Sequence, residues 1–276
     1  MRIGTVSLRS ETVSENGNSM FEFTSIAVPQ SLPTRSRSIF LVTLVVWWAL
    51  LALFNAFPSI DIAVANAAFT PRNCSIFSSI GRTCGDFAWD KSPVFTGARN
   101  VFYMLPYLAV ILLVADLIRD RINQRHASNL DARKAIWPDL RITALVSLAL
   151  GCGVTVNLFL KAFSGRPRPR DTSLFGGQLD FVQAGSFAGK CLRNCSFISG
   201  ESSSAGWLFC LILLLPARWR LSFGFPLAVV SLLIPAMRVL TGAHYLSDAM
   251  LGWLSSLVIF AGVHAIAEEI ANRREG

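Results

Sequence analysis

Residues Ser38 to Phe57 read SIFLVTLVVWWALLALFNAF, a run with no charged side chain. A helix needs about 20 predominantly apolar residues to cross the hydrocarbon core of a bilayer. This run meets that length, with Arg35 and Arg37 just before it. Working outward, five further apolar runs follow: Gly97 to Ile118, Ile142 to Leu160, a short one from Ser203 to Pro216, Phe223 to Met237, and Leu246 to Ala267. They predict an all-α polytopic membrane protein, a bundle of about six transmembrane helices spanning 38–276. Composition agrees: 53% of the 276 residues are hydrophobic and 15% charged, whereas soluble domains are about a quarter charged. Residues 1–37 are polar, lack an apolar run or a small-residue cleavage site, and read as a mobile cytoplasmic tail in which Met20 is an alternative start.

Charge orients the bundle. Arg119, Arg121, Arg125, Arg133, Lys134 and Arg141 follow the second run, Arg218 and Arg220 the fourth, and Arg273 and Arg274 the sixth. With six spans these fall on one side, which the positive-inside rule makes the cytoplasm, together with both termini. Trp137 and Trp219 sit at the same boundary. One basic cluster defies the rule: Lys161, Arg166, Arg168 and Arg170 fall on the outer side. A bound phosphate on that face supplies a reason for them. The net charge of +8 suits anionic headgroups and an anionic substrate. No nucleic-acid reader appears, nor a Walker motif, dinucleotide fingerprint or His-x-x-x-His pair, so neither cofactor nor metal is expected.

Three polar segments reach that outer face. In Arg238-Val-Leu-Thr-Gly-Ala-His244-Tyr-Leu-Ser-Asp248, a helix beginning after Gly242 puts His244 and Asp248 on one face. Asp248 then accepts from one imidazole nitrogen and leaves the other to attack, while Arg238 offers a forked cation to phosphate. In Lys161-Ala-Phe-Ser-Gly-Arg-Pro-Arg168-Pro169, two prolines hold the chain extended and aim Lys161 and Arg168 at one anion. The bland alternative is a snorkelling lysine beside a headgroup patch. In Ser196-Phe-Ile-Ser199-Gly200-Glu201, a helix N-terminus presents its amides, with Ser199 and Gly200 allowing close approach; the bland alternative is an N-cap.

These segments resemble the signature of the type-2 phosphatidic acid phosphatase superfamily: Lys-x6-Arg-Pro, Pro-Ser-Gly-His, and Ser-Arg-x5-His-x3-Asp. The first matches at Lys161, Arg168 and Pro169, the third at Arg238, His244 and Asp248 with Met237 in place of Ser, and the second at Ser199 and Gly200 only. Ile198 stands for Pro and Glu201 for His. The resemblance implies a six-helix membrane phosphatase, working without metal, in which His244 forms a phosphohistidine. Asp248 would orient it, and Lys161, Arg168, Arg238, Ser199 and Gly200 would hold the phosphoryl oxygens. Glu201 keeps three open roles: acid, base for the hydrolytic water, or cap. Neither His126 nor His264 can replace the missing histidine by position. The Ser-Gly-Glu variant after Asn194-Cys195-Ser-Phe resembles a subgroup that includes the lipid A 4′-phosphatases of Gram-negative bacteria. It implies a phosphate monoester of lipid A, hydrolysed at the periplasmic face of the inner membrane. The alternatives are an undecaprenyl diphosphate phosphatase and a non-catalytic lipid-phosphate binder. Cys74, Cys84, Cys191 and Cys195 lie in outer loops, where an oxidising compartment permits disulfides. Short loop closure favours Cys74–Cys84 and Cys191–Cys195.

Overall fold

A computed structural model describes residues 4–13, 19–28, 35–73, 83–126, 139–160 and 164–275. Two strands open it, β1 (Gly4–Val13) and β2 (Ser19–Val28), paired antiparallel. This pairing departs from the all-helical reading. Val6 and Leu8 alternate with Thr5, Ser7 and Arg9, the period of a strand rather than a helix. The helices follow: α1 (Arg35–Ala56), α2 (Ser59–Ala68), α3 (Pro93–His126), α4 (Leu140–Leu148), α5 (Gly200–Cys210), α6 (Phe225–Leu240) and α7 (Leu246–Glu275). A second small antiparallel pair, β3 (Phe69–Pro71) and β4 (Gly85–Phe87), lies between α2 and α3.

Four helical stretches are long and apolar enough to cross a membrane: Arg35–Ala56, Pro93–Asn123, Ala217–Leu240 and Leu246–Arg273. The other two expected spans form shorter apolar helices, Leu140–Val156 and Gly200–Leu214. The first of these widens into π-type turns over Ala149–Leu160, and the second tightens into a 3₁₀ turn ahead of Pro216. The long helices present apolar side chains outward: Val42, Val45 and Trp48 on α1, and Val101, Leu108, Ile111 and Leu112 on α3, are all exposed. Such a surface suits lipid rather than water.

The interior holds small and polar residues. On α5, Ser202, Ser203, Ala205, Gly206, Trp207, Leu208 and Cys210 are all buried. Gly206 lets α5 and α7 touch backbone to backbone, since a Cβ there would stand 2.1 Å from the Trp253 carbonyl oxygen. Small residues and interhelical hydrogen bonds hold membrane helices together where lipid supplies no hydrophobic drive. Ser256 Oγ donates to the Ser203 carbonyl at 2.6 Å, Trp207 Nε1 to that of Ala144 at 2.7 Å, and Trp47 Nε1 to that of Leu251 at 3.1 Å.

The two ends of the bundle differ. At one, Arg141 pairs with Asp116, Asp120 and Asp139 at 2.7, 2.5 and 2.8 Å. Part of the basic charge after the second run thus meets carboxylates of its own. At the other end α2, the β3–β4 pair and the long segment between α4 and α5 pack over the α6–α7 turn. Phe69, Phe87 and Phe175 form its apolar centre, with ring centroids 5.4–5.6 Å apart. Cys191 and Cys195 are disulfide-bonded across this end, as short loop closure favours. Cys84 is also disulfide-bonded, and Cys74 lies outside the described residues.

Candidate active site

The α6–α7 turn builds the centre of the site. Arg238 lies in the last turn of α6, where a helix C-terminus favours a cation. Gly242 reverses the chain at φ 63°, and a Cβ there would meet the Phe87 ring at 2.3 Å, so only glycine fits. The reversal brings the amides of Ala243 and His244 back to the Arg238 carbonyl, at 3.1 and 3.2 Å. Arg238 and His244 are therefore held together by backbone. Arg170 donates its own amide to the Gly242 carbonyl at 3.2 Å, which carries the Arg168 segment alongside.

His244, Arg168, Arg238, Gly200 and Glu201 line one cavity of about 240 Å³, with Arg99, Arg170, Asp90 and Thr241 among the other wall residues. Four arginines face two carboxylates in that wall, which leaves it positive. Arg168 is mostly buried and anchored by Nε to the Asn194 carbonyl at 3.1 Å. Burial, and then Arg170 beside it, lower its pKa, and a guanidinium remains charged through such shifts. Arg238 Nε is buried without a hydrogen-bond partner among the described residues. Its nearest carboxylate oxygen, Glu201 Oε2, is 3.5 Å away. A buried, unsatisfied guanidinium nitrogen in a positive cavity is what an anion would complete.

His244 is buried and faces the Ser196 carbonyl, Nδ1 to oxygen 2.9 Å. Donation there places the proton on Nδ1 and the lone pair on Nε2. Asp248 is not bonded directly to the ring, as the sequence suggested; its Oδ2 lies 4.0 Å from Nδ1. Ser196 stands between them. Its Oγ donates to Asp248 Oδ2 at 2.5 Å and lies 3.4 Å from Nδ1. The Tyr245 amide donates to the same carboxylate oxygen at 3.0 Å.

Behind Asp248 lies a fully buried charge hub. Arg166 Nη1 reaches Asp248 Oδ1 at 2.5 Å and Nη2 reaches Asp61 Oδ2 at 2.7 Å. Its Nε donates to the Val182 carbonyl at 2.7 Å, and its guanidinium sits 4.4 Å from the centre of the Tyr245 ring. Burial pulls the Arg166 pKa down, but Asp248 and Asp61 outweigh it and the net direction is up. Asp61, on α2, also accepts from the Ser247 amide at 2.8 Å and its hydroxyl at 2.6 Å. Of the basic cluster after the third run, then, Arg166 serves this hub instead of a phosphate, and Arg170 lies 3.2 Å from Asp90.

Ser199 is the N-cap of α5, accepting from the Ser202 amide at 3.2 Å. Its own amide donates to the Asp248 carbonyl at 3.0 Å, so of the expected pair only Gly200 lines the cavity. Lys161 lies outside the described residues. Glu201, in the first turn of α5, is held by Arg99, through Nη2 at 2.6 Å and Nε at 3.2 Å. Sequence reasoning passed over Arg99, Asp61 and Ser196. Arg99 carried a signal, a cation at the start of an apolar run. Asp61 and Ser196 belong to no pattern.

The PAP2 superfamily profile matches residues 142–271. A protein of Rhizobium leguminosarum named lipid A 4′-phosphatase is 48% identical over 222 residues, 80% of this chain and 93% of that protein. One of the same name from Rhizobium etli is 46% identical over 236 residues, covering 86% and 90%. Another, from Francisella tularensis subsp. novicida, is 27% identical over 213 residues, covering 75% and 88%. Among solved structures, a PAP2 type phosphatidylglycerolphosphate phosphatase of Bacillus subtilis aligns over 86% of this chain and 97% of its own, at 20% identity and a TM-score of 0.46.

Proposed function

The chain belongs to the PAP2 superfamily of phosphatases, and from that premise we propose that it removes the 4′-phosphate of lipid A at the periplasmic face of the inner membrane. The observation that carries this reading is one cavity holding His244 beside Arg168 and the unsatisfied Arg238 Nε. Relatives at 46–48% identity that bear the name lipid A 4′-phosphatase support the substrate.

In this mechanism Arg168 and Arg238 hold the phosphoryl oxygens, joined by Lys161 and the Gly200 amide at the α5 N-terminus. His244 Nε2 attacks phosphorus, the bond to the sugar oxygen breaks, and that oxygen takes up a proton from solvent water, which the later release of phosphate returns. The imidazole becomes cationic in the phosphohistidine, with Asp248 4.0 Å away to stabilise it. Water then attacks phosphorus, the N–P bond breaks, and phosphate and neutral His244 are released. No step calls for a metal. The periplasmic side follows in this reading from six membrane-crossing segments with both termini in the cytoplasm; the basic residues of the sequence after the second, fourth and sixth runs support that orientation.

The test is phosphate release in detergent, with EDTA present, from lipid A and from undecaprenyl diphosphate, by wild type and His244→Ala. Release from lipid A that withstands EDTA and disappears with His244→Ala is expected. Cleavage of undecaprenyl diphosphate alone would overturn the substrate. That rival draws on one observation, the engagement of Glu201 by Arg99: a phosphate leaving group needs an acid less than a sugar oxygen does.

A further inference from the structure

Glu201 occupies the position where the superfamily signature carries a histidine, yet its carboxylate is engaged. Both oxygens accept from Arg99, and Oε2 also faces Arg238 at 3.5 Å. A carboxylate accepting at both oxygens has no proton aimed at a leaving group. The forked pairing instead fixes where the Arg99 guanidinium lies.

That place is a seam. Arg99, Gly200, Glu201, Met237 and Arg238 line the polar cavity and also a second, larger one of about 550 Å³. The larger cavity runs along α3 toward the bundle interior, between Phe102, Val110, Leu148, Ala205 and Ile234. The two spaces have opposite character and share a wall, as the head and chains of an amphiphile require. Arg99 is still about half exposed, with donors left beyond the pair.

We propose that Arg99 is a specificity-determining residue that contacts the polar junction between the phosphate and the acyl chains of the substrate, and that Glu201 is the residue that positions it. The larger cavity takes an acyl chain. This rests on the phosphatase reading above. It makes the pair a selector for lipid phosphates over soluble ones, with Glu201 outside the proton transfers.

The experiment compares kcat and KM for a lipid substrate and for water-soluble p-nitrophenyl phosphate across a pH series. The enzymes are wild type, Arg99→Ala, Arg99→Lys and Glu201→Gln. Loss of a charge-assisted contact should raise KM for the lipid about tenfold to a hundredfold in Arg99→Ala. The loss for the soluble ester should be smaller by about tenfold, and Arg99→Lys should recover part of it. Glu201→Gln should move KM for the lipid in the same direction and leave the shape of the pH profile unchanged. Equal losses on both substrates would overturn Arg99 as a selector. A lost limb of the pH profile, or a fall in kcat on both substrates, in Glu201→Gln would make it an acid or base and overturn the positioning role. Calorimetric titration of lipid A micelles and of inorganic phosphate into His244→Ala, with and without Arg99→Ala, reads the same selectivity without turnover. An active His244→Ala would sink the phosphatase mechanism alone; loss of lipid preference with His244 still essential would sink only the present inference.

Discussion

Asp248→Asn isolates the charge that the site places behind its nucleophile. The carboxylate is 4.0 Å from His244 Nδ1 with Ser196 intervening, so its influence on the ring is mainly electrostatic. Attack by Nε2 turns a neutral ring into a cation. Two unit charges 4 Å apart interact by about 4 kcal/mol at an effective dielectric near 20. Forfeiting that stabilisation lowers kcat by about a thousandfold, at 1.36 kcal/mol for each factor of ten. KM should hold, because the ground-state imidazole is neutral and the interaction belongs to the transition state.

The variant should also fold. Asp61, Arg166 and Asp248 form a buried trio with one excess negative charge, and Asn leaves Arg166 paired with Asp61 at 2.7 Å. Initial rates of phosphate release over a range of substrate concentration, with thermal unfolding in the same detergent, provide the assay. Ser196→Ala is the companion. It keeps the charge and removes one hydrogen bond to a charged group, worth about 1.5 kcal/mol or somewhat more, so about a tenfold loss. An Asp248→Asn enzyme retaining over about a tenth of its kcat, or showing a raised KM at unchanged kcat, would refute the electrostatic reasoning. Asp248 would then be only a partner for Arg166.

Arg166→Met should do the reverse of Asp248→Asn, because it strands two buried carboxylates; about 3–5 kcal/mol of stability should be lost in thermal or denaturant unfolding. Gly206→Ala sets a methyl 2.1 Å from the Trp253 carbonyl and forces α5 from α7; a cost of about 1–3 kcal/mol is expected in the same assay. Replacing Cys191 and Cys195 together by Ser releases the loop that offers the Asn194 carbonyl to Arg168 at 3.1 Å. KM should rise about threefold to tenfold while kcat changes less, as one anchoring hydrogen bond is worth about 0.5–1.5 kcal/mol. Dithiothreitol on the wild type, which also opens the Cys84 disulfide, should raise KM at least as much.

The apolar runs made the helices legible because a lipid-facing helix advertises itself by length and absence of charge. Ser38 to Phe57 required no tertiary information. The helices hardest to bound were the interior ones. Gly200–Leu214 is largely enclosed by protein and Leu140–Val156 buries one side, at Thr143, Ala144 and Ser147, so these shorter helices carry serines and glycines among their apolar residues. The site was legible where motif spacing follows from helix geometry and a glycine turn: Arg238, Gly242, His244 and Asp248 are close in sequence and in space. The bonding within it was not. The sequence pairs Asp248 with His244 by spacing alone, whereas a serine 48 residues from the histidine accounts for the link. Motif spacing selects Arg168 for the phosphate, but nothing in the sequence says what Arg166, two residues away and chemically alike, does instead. Prolines at 167 and 169 favour a polyproline-type backbone, which Arg168 adopts at φ −74° and ψ 156°; with about three residues per turn, Arg166 and Arg168 point different ways, one guanidinium into the buried hub and the other into the cavity wall.

Asp61 and Arg99 share a property that bears on how such a site diversifies. Both lie before residue 142, outside the region matched by the superfamily profile, yet each grips a residue inside it. The matched region holds His244, Asp248, Arg168 and Arg238, to which the proposed mechanism gives the attack, its charge partner and the grip on phosphate. Groups that meet a transferring phosphoryl group face one geometric demand whatever the lipid. Before residue 142, Asp61 completes the buried hub and Arg99 pairs with Glu201 at the cavity wall. Asp61 sets the charge of that hub, and Arg99 stands at the head-to-chain seam. Exchanging those two side chains would retune rate and lipid preference without disturbing the reacting atoms. On this reasoning Glu201, in place of a histidine, is the point where the two parts of the chain are coupled: it trades an acid for a grip on Arg99.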